Sequence, residues 1–388
     1  MQSTVVARTL ITRCVVAAAV LLAATVAAGT GAAGAAGNSP LSSGLNADGQ
    51  LGDGTTSSRR TPGATLLVDA VAVASGREHA YALDGEGRVW AWGDNSKRAI
   101  GDGSSLDRPT PVRLGLSDVV QVEAGHYHGI ALRADGTVWT WGFGTLGQLG
   151  LGTTTNRSTP AQVTGLTGVV SVAAGRDMSY AVLADGTVQG WGGNTYGEVG
   201  DGTVTRRTRP VTVAGLTGVV EMAGGRNHAT VIRTDGSVWG WGANEYGQIG
   251  DGTTTNRRTP VQVLPPGPSP RHIDAGAEHN LLVLADGRVQ TWGRGYRGQL
   301  GLGTTSTRTR PTLVPGLTGI AEVGDGRDQS FALTEDRRVY AWGFNDSGQL
   351  GDGSLTTRRS PVLLTGLSGI VAAQGGRGMT IFLPAAPG

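Results

Sequence analysis

One recurring stretch limits what this chain can become. Asp135-Gly136-Thr137-Val138-Trp139-Thr140-Trp141-Gly142 is followed by Gly147-Gln148-Leu149-Gly150-Leu151-Gly152, and related copies place Trp-Gly pairs at Trp92, Trp141, Trp191, Trp241, Trp292 and Trp342. The spacings are 49, 50, 50, 51 and 50 residues. A period of that size belongs to repeat arrays, in which a unit buries its apolar face only against its neighbours.

Each unit has the same order of signals. An apolar run such as Val169-Val170-Ser171-Val172-Ala173 reaches a glycine and a two-residue turn tip, and a second run, Ser179-Tyr180-Ala181-Val182-Leu183, follows. These read as antiparallel strands. Asp-Gly then marks a tight hairpin at Asp135, Asp185, Asp235 and Asp286, leading to the strand that ends in Trp-Gly. In that strand Trp139 and Trp141 share one face while Val138 and Thr140 share the other, so both faces are covered. A Gly-rich loop leads to a last run that carries proline, such as Thr259-Pro260-Val261-Gln262-Val263, which suits an outer edge. Four strands covered on both faces describe a propeller blade.

The chain starts and stops inside this unit. Asn46-Ala47-Asp48-Gly49-Gln50-Leu51-Gly52 matches the second half of a repeat, and Gly376-Arg377-Gly378-Met379-Thr380-Ile381-Phe382-Leu383 matches the first half. Six full units and two complementary halves give an all-β fold: a single seven-bladed propeller of four-stranded antiparallel blades, its ring closed by strands from both termini. The propeller is placed at residues 46–383, with a short linker at 37–45 and a tail at 384–388. Residues 1–36 read as a secretory signal peptide, with Arg8 and Arg13 before an apolar run from Cys14 to Ala28. A secreted, extracellular location follows from that reading. Cys14 is the only cysteine, which leaves the body without a disulfide.

The pattern Trp-Gly-x-Asn-x-x-Gly-Gln-Leu-Gly, with Ala-Gly-x-x-His before it, resembles the regulator of chromosome condensation repeat, here in a secreted bacterial form. The resemblance extends from Asn46 to Leu383 and implies a seven-bladed propeller. Kelch repeats share the period but lack the Gly-Gln-Leu-Gly element. For function the resemblance implies several possibilities: guanine-nucleotide exchange, as in nuclear members that use an inserted wedge and a basic tail, or inhibition of a secreted enzyme, as in a β-lactamase inhibitory relative. The even period here leaves no room for a wedge.

Candidate functional residues lie where the repeat varies. The two positions after the turn glycine are Arg77-Glu78, His126-Tyr127, Arg176-Asp177, Arg226-Asn227, Ala277-Glu278, Arg327-Asp328 and Arg377-Gly378. A constant frame with variable tips has the form of a scaffold presenting a surface, so partner binding is assigned to Arg77, Glu78, His126, Tyr127, Arg176, Asp177, Arg226, Asn227, Glu278, Arg327 and Asp328. Tyr127 is the one aromatic among them. The next position carries His79, His128, His228 and His279, with Met or Gln in other repeats. Those histidines read as packed residues, and the alternative is an axial enzyme site around His126 and His128. A second set, Arg59-Arg60, Arg108, Arg157, Arg206-Arg207, Arg257-Arg258, Arg308 and Arg358-Arg359, reads either as an anion-binding ring or as partners of loop acids such as Asp53 and Asp251. Net charge is only +2, which argues against a nucleic-acid protein. No phosphate loop, zinc signature or nucleophile elbow occurs. The expectation is a monomeric, non-enzymatic binding scaffold with no metal or cofactor, whose partner is a protein or an anionic surface ligand.

Overall fold

A computed structural model describes residues 38–386. The proposed signal peptide therefore lies outside the described residues, which form seven antiparallel four-stranded sheets and contain no helix. Blade 1 runs from Ala70 to Arg113, and blades 2 to 6 follow at the repeat period. Blade 7 takes its two inner strands, Ile370–Gly375 and Met379–Pro384, from the C-terminal end and its two outer strands, Leu41–Gly44 and Arg59–Ala64, from the N-terminal end. Leu41 pairs with Phe382 and Gly44 with Met379. The ring is thus closed by complementary halves, as the split repeat requires.

The propeller begins earlier than the sequence reading places it. Leu41–Gly44, assigned above to a linker, is a paired strand, and Pro384 still belongs to the last one. The Ser42-Ser43-Gly44 segment replaces the Trp-bearing strand of other blades, so no tryptophan marks it.

Blade-to-blade packing follows from the Trp-Gly element. Trp92, Trp141, Trp191, Trp241, Trp292 and Trp342 are completely buried. Each indole Nε1 donates to a backbone carbonyl in the Gly-Gln-Leu-Gly element of the preceding blade: Trp92 to Gln50, Trp191 to Gln148, Trp241 to Glu198 and Trp342 to Gln299, at 2.8 to 3.0 Å. The last glycine of that element lies against the indole, where a Cβ would sit 2.7 Å from Trp191 Nε1 at Gly150 and 2.8 Å from Trp342 Nε1 at Gly301. These glycines also have positive φ, 70° at Gly150 and 69° at Gly301. Close approach and turn conformation therefore both demand glycine.

The outer strands carry the prolines and are irregular. Arg157 pairs with Gly142 and Ala161 with Thr140, so four steps on the outer strand oppose two on its neighbour. Pro160 sits in that bulge, where a missing amide interrupts no ladder.

Two glycine substitutions separate the effect of contact from that of backbone. Gly165 has φ 87° and nothing within 4 Å of an added Cβ, so Gly165→Ala should cost about 1 kcal/mol from the left-handed conformation alone. Gly150→Ala should cost about 1–3 kcal/mol more because it also overpacks the indole. Denaturant midpoints of the two variants measure the difference; equal losses would remove the glycine-indole contact from the account.

Candidate functional site: the tip face and axial chamber

Strand direction sorts the connections onto two faces. The Asp-Gly hairpins lie on one, while the two-residue tips and the long loops after Trp-Gly lie on the other, called here the tip face. On it the backbone forms a closed circuit. Arg77 N–H donates to His126 O, His126 to Arg176, Arg176 to Gly225, Arg226 to Ala277, Ala277 to Arg327, Arg327 to Gly376, and Arg377 back to Arg77, at 2.9 to 3.3 Å. The first residue of every tip is thereby fixed at one mouth of the axial channel.

The assigned tip residues do come together on this face, though many are already engaged. Arg176 pairs with Asp177 at 3.0 Å, Arg327 with Asp328 at 3.3 Å and Arg377 with Glu78 at 3.1 Å. Glu278 holds both Arg226 at 3.2 Å and Arg294 at 2.5 Å. Arg77 donates to the Tyr127 hydroxyl and lies over its ring. Asn227 lines a cleft between blades 3 and 4.

The histidines divide by position. His128 Nε2 bonds Ser179 Oγ of the next blade at 2.9 Å, His228 bonds Asn280 at 3.1 Å and His279 bonds Ser330 at 2.8 Å. Each imidazole also covers the glycine of its own turn: a Cβ on Gly125 would fall 2.0 Å from His128. Burial lowers His79 and His228 to about 4 and His128 to about 3. His126 lies at the mouth, lowered to about 3 by burial and by Arg176, Arg77 and Arg226. His126 and His128 therefore do not converge on one centre. His279, Asp325 and Ser330 resemble a catalytic triad in composition, but one imidazole nitrogen, Nε2, faces both partners and the group is buried. Asp325 outweighs burial there and raises His279. Among the described residues no three His, Asp or Glu side chains are placed to hold a metal ion.

The second arginine set splits in two. Where it is present, the asparagine after Trp-Gly organises its long loop: Asn244 Oδ1 accepts from Ile249 N–H at 2.9 Å, while Nδ2 donates to Thr253 O and Thr255 O at 3.1 Å and Asp251 at 3.3 Å. Asp251 in turn accepts from Arg257 Nε at 2.7 Å. Burial pushes Asp251 up, and Thr253 with Arg257 outweighs it and holds the carboxyl below its ordinary value. Arg108, Arg207 and Arg358 pair with Asp102, Asp201 and Asp352 in the same way, while Arg59 turns Nε to Ser42 O and meets Asp53 through a terminal nitrogen at 3.3 Å. Blades 2 and 5 have Gly144 and Gly295 in place of asparagine and Leu151 and Leu302 in place of aspartate. A Cβ on Gly144 would fall 2.3 Å from Thr155 O, and one on Gly295 would fall 2.3 Å from Ser306 O. Loop backbone fills the asparagine's place there, and Arg157 and Arg308 have no acid partner among the described residues. Arg60, Arg206, Arg258 and Arg359 remain exposed. Most of the ring is loop structure, and the anion-binding reading survives only for these exposed members and for Arg157, which is exposed as well.

Sequence reasoning missed the aromatics of the tip face. The residue before the Gly of Gly-Gln-Leu-Gly is Leu146, Tyr196 and Tyr246 in blades 2 to 4, and Tyr296 lies in the same loop of blade 5. Tyr196, Tyr296 and Leu146 are 42, 55 and 37 per cent exposed. Tyr246 and Tyr296 pack edge to face at 6.0 Å, and the Arg294 guanidinium lies over both rings. Arg297 covers Phe344 at 4.4 Å. Leu146, Tyr196, Val204, Tyr246, Arg206 and Arg226 meet around the cleft of about 870 Å³ between blades 3 and 4. The available signal was this variable loop position, which the Trp-Gly motif obscured.

Below the mouth, the inner strands enclose an axial chamber with Glu123, Glu221, Asp274 and Asp325 on its wall. Burial raises Glu123 to about 7 and Glu221 to about 8. Asp274 rises to about 8 through burial and the neighbouring Asp325, and Glu322 to about 8 through burial, Asp274 and Glu221.

Comparison with known proteins agrees with the architecture. The seven-bladed ring with Trp-Gly seams defines a repeat propeller of the type whose family model, the RCC1-like domain, matches residues 14–315; the regulator of chromosome condensation (RCC1) repeat matches residues 336–383. The chain belongs to this family. It is 44% identical over 59 residues to RCC1 domain-containing protein 1 of Mus musculus, covering 15% of this chain and 16% of that protein. It is 48% identical over 48 residues to the human E3 ubiquitin-protein ligase HERC2, covering 12% of this chain and 1% of that protein. These matches span a small part of either relative. Among solved structures, Prp20p from Saccharomyces cerevisiae, a protein with binding properties to Gsp1p and histones, superposes with a TM-score of 0.81 at 23% identity, covering 91% of this chain and 92% of that one. Human WBSCR16 gives 0.79 at 24% identity, covering 89% and 98%. At such identities the likeness is one of fold.

The buried titrating groups give stability a defined pH dependence. A carboxyl raised on folding stabilises fully below its unfolded value and loses that contribution as pH rises through its folded value. Glu123, Glu221, Asp274 and Glu322 lose theirs by about pH 8. A histidine lowered on folding does the reverse, gaining stability as pH rises from its folded value of about 4 toward 6.5. The two groups oppose each other up to pH 6.5, above which the carboxyls and His279, which Asp325 raises and which loses its contribution as pH rises through its folded value, act in the same direction. The thermal midpoint should therefore change little between pH 4.5 and 6.5 and fall from 6.5 to 8, and Glu221→Gln should shrink that fall.

Proposed function

We propose that the chain is an exported, non-enzymatic protein-binding scaffold, acting as a monomer, whose partner docks on the tip face over blades 3 to 5. The observation that carries this reading is the cleft lined by Leu146, Tyr196, Val204 and Tyr246, with Arg206 and Arg226 at its edge. Tyrosine and arginine around a concave apolar centre have the composition of interface hot spots. The tip residues named from the sequence supply the polar border: Arg176–Asp177 and Arg226–Glu278 hold one another in place beside the cleft. Such preformed pairs lose little side-chain freedom on docking. Their mixed charge suits a protein loop that carries both apolar and polar groups. Support from comparison is general: Prp20p, of the same fold, is described as binding Gsp1p and histones. Export rests on the sequence of residues 1–36.

Once a partner has been identified by crosslinking to the full chain, titration with variants tests the face. Tyr196→Ala and Tyr246→Ala should each weaken binding by about 30-fold or more, equivalent to ~2 kcal/mol. Asp185→Lys with Asp286→Lys, on the hairpin face, should leave it unchanged. Loss in the hairpin variant with none in the tyrosine variants would move the interface to the other face.

A further inference from the structure

The cleft between blades 3 and 4 holds one residue that departs from its own repeat. The Gly-Gln-Leu-Gly element carries glutamine at Gln50, Gln148, Gln248, Gln299 and Gln349 and alanine at Ala99, whereas in blade 3 the same position is Glu198. The glutamine has a structural task. Its Oε1 accepts the amide of the residue two before it, at 2.8 to 2.9 Å in all five loops. Glu198 performs that task with Oε2, which accepts the Tyr196 amide at 2.7 Å. Five loops make this bond without a charge, so the loop itself does not call for a carboxylate.

Glu198 Oε1 is left over. No described side chain donates to it or pairs with it, although the residue is only 4 per cent exposed. In Gln50, Gln148 and Gln349 the corresponding nitrogen is sealed from solvent, whereas Glu198 forms part of the cleft wall and turns its free oxygen toward an occupant. Burial, with Asp177 nearby, pushes this carboxyl above its ordinary value, the mark of a charge without a counter-charge. The cations of the cleft are committed elsewhere: Arg176 to Asp177 at 3.0 Å, Arg226 to Glu278 at 3.2 Å and Arg206 to Thr145 O at 3.0 Å. A metal ion is not the missing charge, since among the described residues no three His, Asp or Glu side chains are placed to hold one.

The aromatic wall favours the same sign. Arg294 already lies over Tyr246, while among the described residues no guanidinium lies over Tyr196, whose ring is exposed and whose amide is tied to Glu198. The face of a tyrosine attracts a cation. Lysine suits this place better than arginine, because a guanidinium fork closes on two oxygens and Oε2 is already engaged, whereas an ammonium needs only one. Its alkyl stem also covers apolar surface such as that of Leu146.

We propose that the docking partner is a protein whose loop inserts a lysine into the cleft between blades 3 and 4, its ammonium donating to Glu198 Oε1 beside the Tyr196 ring. The inference rests on the tip-face reading above and names what that face selects.

Panning the full chain against a library of random disulfide-closed peptides, followed by fluorescence-polarisation titration of the enriched peptides, tests it. The enriched peptides should carry lysine, and norleucine in its place should weaken binding about tenfold or more. Glu198→Gln should weaken the lysine peptide by a similar factor and leave the norleucine peptide unchanged, a coupling that a purely structural role does not produce. The melting temperature of Glu198→Gln should match that of the parent, because glutamine makes the same bond in five other loops. Tyr196→Ala reads the face separately. Peptides that bind Tyr196→Ala as tightly as the parent would sink the tip-face reading and this inference with it. Peptides that Tyr196→Ala weakens, but that lack lysine or bind Glu198→Gln unaltered, would overturn the lysine alone and leave the face standing.

Discussion

The rest of the structure depends on an indole that reaches from one blade to the next. A propeller blade is a small sheet with two faces to cover, and neither can be covered within the blade. The buried tryptophan solves both the apolar and the polar half of that problem: its ring fills the space between sheets, and its Nε1 finds an acceptor in a carbonyl of the facing loop, as in Trp191 to Gln148, which also accepts from Ser179 Oγ. The glycine beneath the ring is the other half of the contact. Because the contact is always with the preceding blade, the blades stabilise one another in series. The series must close, or its end blades would each expose an apolar face. The joint between blades 6 and 7 does so with different parts: Ser43 stands where a tryptophan would, Thr380 Oγ donates to Gln349 O at 2.7 Å, and Phe331 packs edge to face on Phe382 at 5.7 Å.

The fold was legible in the sequence because its determinants are local and periodic. Trp-Gly, Asp-Gly and the Pro-bearing runs each encode one element, and their repetition removes ambiguity. What was not legible was the start of the ring. Leu41–Gly44 is a strand only because the C-terminal Met379–Pro384 strand is there to pair with it, and no local signal carries that long-range information. The same holds for the loops. Asn244 and Asp251 are seven residues apart and look unrelated along the chain, yet they are two ends of one hydrogen-bonded network. In blades 2 and 5 both members change together, to Gly144 with Leu151 and Gly295 with Leu302, and in hindsight that paired change marks a structural role.

The candidate site was half legible. Variation after the turn glycine located the tip residues correctly on one face, and Arg176, Arg226 and Glu278 do border the cleft. The tyrosines were overlooked because they belong to a different loop, 18 to 20 residues further along the chain, brought beside the tips only when the sheets stack. The axial acids were overlooked for a related reason. Glu123 and Asp274 stand two residues before the turn glycine and Glu221 and Glu322 four before it, in strands whose pattern otherwise reads as apolar, and a chamber exists only where seven such strands meet.

The circuit of seven backbone bonds at the tip mouth has an electrostatic consequence. In a helix, aligned peptide groups leave unsatisfied donors at one end and acceptors at the other, and the ends acquire partial charge. Here every N–H points the same way around the axis and the last, Arg377, returns to the first. A closed loop of dipoles has no ends and no net moment along the axis. The backbone at this aperture is therefore electrically silent toward anything approaching it, and the field there is set by side chains alone, which substitution can rewrite without touching the ring that carries them.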